Sequence, residues 1–195
     1  GYSQKWHKYP KRDVLPLWVA DMDFITAPEI MASLEQTLQH GVFGYSIQQN
    51  LVKNDVVTYL KHEYEWDVNT TDIIWLPGTV AGINLSCRAL IGANDAVITA
   101  TPIYPPFLSA PKLSERGLIT TELVEVGGVW QWDLADLEQK ILQSPKKARL
   151  LLLCNPHNPV GRVWTRNELD QILELVIRHD LWVCSDEIHC DLVLD

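Results

Sequence analysis

The sequence predicts an α/β fold, a mostly parallel sheet with helices on both faces. Two patterns carry the prediction. From residue 73 onward short apolar runs alternate with helical segments, and the runs beginning at Arg149 and Leu181 are nearly continuous rather than alternating. Continuous apolar strands separated by helices mark parallel strands covered on both faces. The third observation is size. A chain of 195 residues, 47% hydrophobic and 21% charged, can bury a core without disulfide staples.

The elements follow in order. To about Phe24 the chain is aromatic and irregular, with Trp6, Tyr9 and Trp18, and reads as an arm lying on another surface. Thr26 and Glu29 have capping-box spacing with Pro28 in the first turn, so a helix is predicted there. Ile30, Leu34 and Leu38 would share one face and Gly41 would end it. After a glycine-bearing connection over His40 to Ser46, Val52, Val56 and Leu60 mark a second helix. Ile73 to Leu76 is read as a strand and Thr79 to Ile91 as a helix. Ala96 to Thr99 is a strand, Pro106 to Glu115 a helix, and Ile119 to Val126 a strand with a hairpin at Gly127-Gly128. Leu134 to Leu142 is a helix capped by Asp133. Arg149 to Cys154 is a buried strand with four consecutive leucines. Thr165 and Glu168 start a helix that runs to His179, and Leu181 to Ser185 is a second buried strand. The organisation expected is an arm and first helix over 1–45, then a sheet-bearing domain over 46–195.

The net charge of −9 and a pI near 5.1 argue against a nucleic-acid partner, which calls for a basic stripe. The closest thing to a basic run is Lys146-Lys147. No apolar run approaches the ~20 residues of a membrane span, and the polar, aromatic start is unlike a signal peptide. Cys87, Cys154, Cys184 and Cys190 have no C-x-x-C spacing and read as free thiols in a reducing cytoplasm. A cytoplasmic protein acting on a small molecule is the expectation.

In open α/β sheets ligands bind at the carboxyl ends of the strands. Four such ends carry chemistry: Pro77-Gly78-Thr79 opening a helix, Tyr104 between prolines, Asn158 in a proline-bounded loop, and Asp186. Together they suit a phosphorylated aromatic ring. Gly78-Thr79 offers helix N-terminal amides to a phosphate. Tyr104 offers a flat face, and Asn158 a donor for a ring oxygen. Asp186 offers a carboxylate to a protonated ring nitrogen. Taken singly, each has a plainer role. Gly78 can be a tight turn, Tyr104 a core aromatic, Asn155 and Asn158 turn formers, Asp186-Glu187 a helix cap, and His189 structural.

Asn155-Pro156-His157-Asn158-Pro159-Val160-Gly161, followed one helix and one strand later by Ser185-Asp186-Glu187-Ile188-His189, resembles the fold-type-I pyridoxal-phosphate enzymes of the aspartate aminotransferase superfamily. Three further segments narrow the resemblance to the MalY/PatB group of cystathionine β-lyases: Trp18 to Phe24, Gly41 to Ser46, and Thr101 to Phe107. It covers nearly the whole chain.

The resemblance implies a PLP-dependent transferase-like large domain and pyridoxal 5′-phosphate as cofactor. Thr79 and Val80, following Gly78, would bind its phosphate. Tyr104 would stack on the ring, Asn158 would bond O3′ and Asp186 the ring nitrogen, with His189 near O3′. Tyr45 would reach the phosphate in a neighbouring subunit, implying a homodimer, and Trp18 to Phe24 would line the substrate entrance. The Schiff-base lysine of the family lies beyond the Asp-Glu-Ile-His segment, outside these 195 residues, as do further phosphate ligands and the arginine for the substrate carboxylate. No catalytic residue is therefore nominated within the chain, and the sheet is expected to be incomplete at its C-terminal side. The activity implied is carbon–sulfur β-elimination from a sulfur amino acid to thiol, pyruvate and ammonia, the 195-residue chain alone being inactive. An aminotransferase is the alternative on the same fold. An inactive structural or zinc-binding fragment, using Cys154, His157, Cys184 and His189, is the alternative of another class.

Overall fold

A computed structural model describes residues 2–9, 13–45, 47 and 50–193. The chain divides into two compact units, Gly1–Thr70 and Thr71–Asp195. By compactness the second predicted helix belongs with the first unit, whereas the expected division at 45/46 grouped it with the sheet. Ser46 lies outside the described residues.

The first unit holds helices α1 (Gln4–His7), α2 (Pro28–His40) and α3 (Asn50–Tyr64). Within the arm, Lys5 is buried, its ammonium 3.0 Å from Asp23, and Trp6 Nε1 donates to the same carboxylate at 2.9 Å. The Thr26 capping box does not form. The N-cap of α2 is Ala27, with no side-chain bond, because Pro28 takes the first helical position and leaves Thr26 one residue too early. Gly41 ends the helix as expected, in the left-handed conformation at φ 70°. Ile30, Leu34 and Leu38 are exposed.

The second unit is built from α4 (Thr79–Ala89), β1 (Asp95–Thr101), α5 (Pro106–Leu113), β2 (Gly117–Val126), β3 (Val129–Trp132), α6 (Leu134–Gln143), β4 (Lys147–Cys154), α7 (Arg166–Arg178) and β5 (Trp182–Asp186). The sheet order is β3-β2-β1-β4-β5. The β2-β1-β4-β5 pairings are parallel, and β2 and β3 form the antiparallel hairpin expected at Gly127-Gly128. The strand period of two divides the core between the faces. Ile98, Leu151 and Leu153 pack with Leu137, Ile172 and Leu175 of α6 and α7. Val97, Leu150 and Leu152 pack with Ile83, Cys87 and Phe107 of α4 and α5.

The expected caps hold here. Asp133 accepts from the Asp136 amide at the start of α6. Thr165 and Glu168 form a complete capping box at α7. Arg162 adds a two-pronged contact to Glu168, at 2.6 and 2.8 Å.

Two strand expectations are corrected. Ile73 to Leu76 forms no strand: an apolar run becomes a strand only by joining a ladder, and the sheet is made of β1 to β5 alone among the described residues. Leu181 to Ser185 yields β5, but β5 is not buried. It is the last strand in the order, and Trp182, Val183 and Ser185 are exposed.

Candidate active site

Because β2, β1, β4 and β5 run parallel, their carboxyl ends share one edge, and three of the predicted site segments leave from it. A cleft of about 710 Å³ opens beside β5. It is lined by Ile74, Trp75 and Leu76, by α4 along its length, and by residues 184–188. Gly78, Thr79 and Asp186 are all among its lining residues.

Gly78 has φ 109° and ψ 161°. Nothing lies within 4 Å of where its Cβ would stand, so glycine is required by conformation rather than by space. The first intrahelical bond of α4 runs from the Gly82 amide to the Gly78 carbonyl, at 3.2 Å. The amides of Thr79, Val80 and Ala81 therefore have no acceptor within the helix and stand at its positive end.

Asp186 is the last residue of β5 and pairs in register with Cys154. Its carbonyl accepts from the Asn155 amide at 3.1 Å. Its Oδ1 accepts from the Ile188 amide at 3.2 Å, leaving Oδ2 for a ligand. The half-buried carboxylate is thus fixed at the strand end rather than loose in solvent.

Tyr104 and Asn158 meet each other, not the cleft wall. The Tyr104 amide donates to the Asn158 carbonyl at 3.0 Å, and the tyrosine is 38% exposed. Beneath them His157 is 1% exposed, with Nε2 2.9 Å from the Pro102 carbonyl. Asn155 serves the loop itself, accepting from the Trp164 amide at 3.1 Å. Val80 is exposed at the second position of α4. His189 stands at the N-cap position of the short 3₁₀ turn Cys190–Leu192, with no side-chain cap bond, and is not part of the cleft wall. Tyr45 belongs to the other unit and is fully exposed. The structure thus brings Gly78, Thr79 and Asp186 to one cleft and joins Tyr104 to Asn158. It does not bring Val80 or His189 into the cleft wall.

Burial pushes the thiols of Cys154 and Cys184 up and that of Cys87 up to about 11, which favours their protonated forms. That makes them poor nucleophiles and poor metal ligands at neutral pH. No group of three or more His, Cys, Asp or Glu side chains among the described residues is placed to hold a metal ion.

Sequence reasoning overlooked His157 as a structural link, treating it as part of a motif and as a conceivable zinc ligand. Its signal was there: a lone imidazole in a proline-bounded loop directly after a buried strand has few polar partners besides backbone.

A sheet covered on both faces, with a helix N-terminus and a carboxylate lining a cleft at its carboxyl edge, defines an α/β domain built to hold a small ligand. The family described as "Aminotransferase class I and II" matches residues 12–195, and the chain belongs to that family. It is 37% identical to the cystathionine β-lyase PatB of Bacillus subtilis, over 98% of this chain and 50% of PatB. Among solved structures it is similar to OvoB, at 45% identity and TM-score 0.92, covering 100% of this chain and 51% of that one. It is also similar to cystalysin from Treponema denticola, which contains a pyridoxal 5′-phosphate cofactor, at 39% identity and TM-score 0.89, covering 100% of this chain and 50% of that one. The chain spans about half the length of the relatives it matches.

Proposed function

We propose that this chain forms the cofactor face of a pyridoxal-phosphate-dependent carbon–sulfur lyase acting on a sulfur amino acid. The observation that carries the reading is that Asp186, at the carboxyl end of β5, lines the same cleft as Gly78 and Thr79 at the start of α4. A carboxylate and a helix N-terminus lining one cleft match the two charged ends of this cofactor, a protonated pyridine nitrogen and a phosphate. The residues fit the group: the α4 amides lack helical acceptors, and one oxygen of Asp186 is held by the Ile188 amide while the other is left over.

Thr79 and Val80 then bind phosphate through backbone N–H groups, without spending a charged side chain. Tyr104 presents a ring face for stacking. Asn158 donates to the ring oxygen, and Asp186 holds the proton on the ring nitrogen. When bound, the cofactor supplies an electron sink for an amino acid that has lost its α-proton. His189 near the ring oxygen, and Tyr45 reaching across a homodimer, enter on the family resemblance alone.

None of the lysines at 112, 140, 146 and 147 is in the cleft wall. Lys140 is engaged by Asp136 at 2.7 Å, and Lys146 by the Ala93 carbonyl at 3.1 Å, at the opposite edge of the sheet. That the lysine holding the cofactor covalently lies outside these 195 residues is proposed on the family resemblance. Lyase rather than transaminase chemistry is supported by the name of PatB, a cystathionine β-lyase.

The test is a pyridoxal-phosphate titration of the chain, followed by tryptophan fluorescence, borohydride reduction and mass spectrometry. Saturable, reversible binding is expected, weakened at least ~10-fold in Asp186→Ala. No single lysine should be labelled stoichiometrically, and cystathionine should release no pyruvate. Equal affinity in Asp186→Ala would remove the assigned site. Stoichiometric labelling of one lysine with pyruvate release would place the covalent anchor inside the chain. Amino transfer to a keto acid without pyruvate release would favour the aminotransferase.

A further inference from the structure

We propose that His157 is a positioning residue, its imidazole clasping the loop after β4 to the loop after β1 and so fixing the spacing of Asn158 and Tyr104. That these two side chains face a cofactor ring rests on the function proposed above. The clasp itself does not.

Two hydrogen bonds join the loops. One is the backbone bond from Tyr104 to Asn158 at 3.0 Å. The other is His157 Nε2 to the Pro102 carbonyl at 2.9 Å. A carbonyl only accepts, so Nε2 carries the proton. The backbone of His157 is already closed upon its own loop. Its amide donates to the Arg162 carbonyl at 2.7 Å, and its carbonyl accepts from the Gly161 amide at 2.8 Å. The side chain is the part left to reach the other loop.

The ring is also held sideways. It meets Trp164 edge-on, centroids 5.3 Å apart and planes at 72°. Trp164 is anchored in turn by its Nε1 bond to the Cys154 carbonyl at 3.0 Å. The arrangement has a cost: Nδ1 is buried and makes no well-aligned hydrogen bond, although the Cys154 carbonyl also approaches the ring. An apolar side chain of similar volume would fill the space without an orphaned acceptor. What it could not do is donate to Pro102. The neighbouring Asn158 and Tyr104, two of the four side chains expected to contact the ring, are the groups that this donation holds in place.

The test uses the whole chain and begins without ligand. Nitrogen-15 NMR of the His157 ring should show the Nε2–H tautomer with Nδ1 unprotonated; an Nδ1–H tautomer would overturn the proposal. Hydrogen exchange at the Tyr104 amide is the second readout. His157→Met, near in volume and unable to donate, should speed that exchange on the order of tenfold relative to the Leu151 and Leu152 amides of β4. His157→Gln, which can still donate, should stay within about threefold of wild type. Unchanged Tyr104 exchange in His157→Met, or equal loss in both variants, would overturn the clasp. If His157→Met does not fold, the tautomer and the glutamine variant decide. A pyridoxal-phosphate titration adds the functional arm, with affinity weakened about tenfold in His157→Met and restored in His157→Gln. Absence of binding by the wild-type chain would sink the proposed function and leave the exchange result to judge the clasp.

Discussion

β4 and β5 are hydrogen-bonded neighbours in the same parallel sheet, yet six of the eight residues of β4 are buried and none of β5 is. The difference lies in cover rather than in composition. β4 has β1 on one side and β5 on the other. Helices α6 and α7 pack on one of its faces, and residues of α4 and α5 on the other. β5 has a strand on one side only. The proposed site straddles the boundary between these regimes. Tyr104 and Asn158 hang from the covered centre through β1 and β4, while Asp186 and Gly78-Thr79 border the open cleft. Half of the site is therefore preset by close packing and half stands where the cover stops.

The sharpest test of that contrast is a matched pair of truncations. Leu151→Ala removes a fully buried side chain from the centre of β4 and should cost about 2–5 kcal/mol, since a cavity remains. Val183→Ala, at the residue paired with Leu151 but 37% exposed, should cost under about 1 kcal/mol. Urea unfolding of both variants measures the gap. Equal losses would mean that β5 is as well covered as β4.

The cover can be loosened in its turn. Thr165→Ala breaks the capping box at the start of α7 and should cost about 1 kcal/mol. Thr26→Ala, which has the same sequence spacing to a glutamate but caps nothing, should change stability by less than about 0.5 kcal/mol. A Thr26→Ala loss as large as that of Thr165→Ala would show that the α2 cap forms in solution.

These pairs also show what the sequence could tell. The hairpin at Gly127-Gly128, the Asp133 cap and the Thr165 box were legible because each is local: the residues that decide them lie within four positions. The placement of Tyr104, Asn158 and Asp186 at one edge was legible because parallel topology sends strand ends there; Gly78 and Thr79 line the cleft with Asp186 although no strand precedes them. Ile73 to Leu76 and the exposure of β5 were not, since an apolar run does not state which strand pairs with it or what layer covers it. Thr26 failed by one residue, where Pro28 set the helix start. His157 was hidden because its partner, the Pro102 carbonyl, is 55 positions away and has no side-chain signature.

The smallest expected change in stability comes at the open edge itself. Trp182 begins β5, pairs with Leu150 and is 59% exposed. A large aromatic on an unpaired strand edge gains little from folding, because most of its surface stays in water in either state. The same side chain, beside unpaired backbone donors and acceptors, invites another edge to pair with it. Trp182→Lys should therefore leave the urea midpoint within about 0.5 kcal/mol of wild type. It should still reduce self-association at high concentration, because a lysine on an edge strand must be desolvated before a second strand can dock. Sedimentation velocity over a concentration series reads the second effect, and denaturation at low concentration the first. A stability loss approaching that of Leu151→Ala would erase the distinction between the covered centre and the open flank. Unchanged self-association would move the sticky surface elsewhere, to the apolar wall formed by Ile74, Trp75 and Leu76.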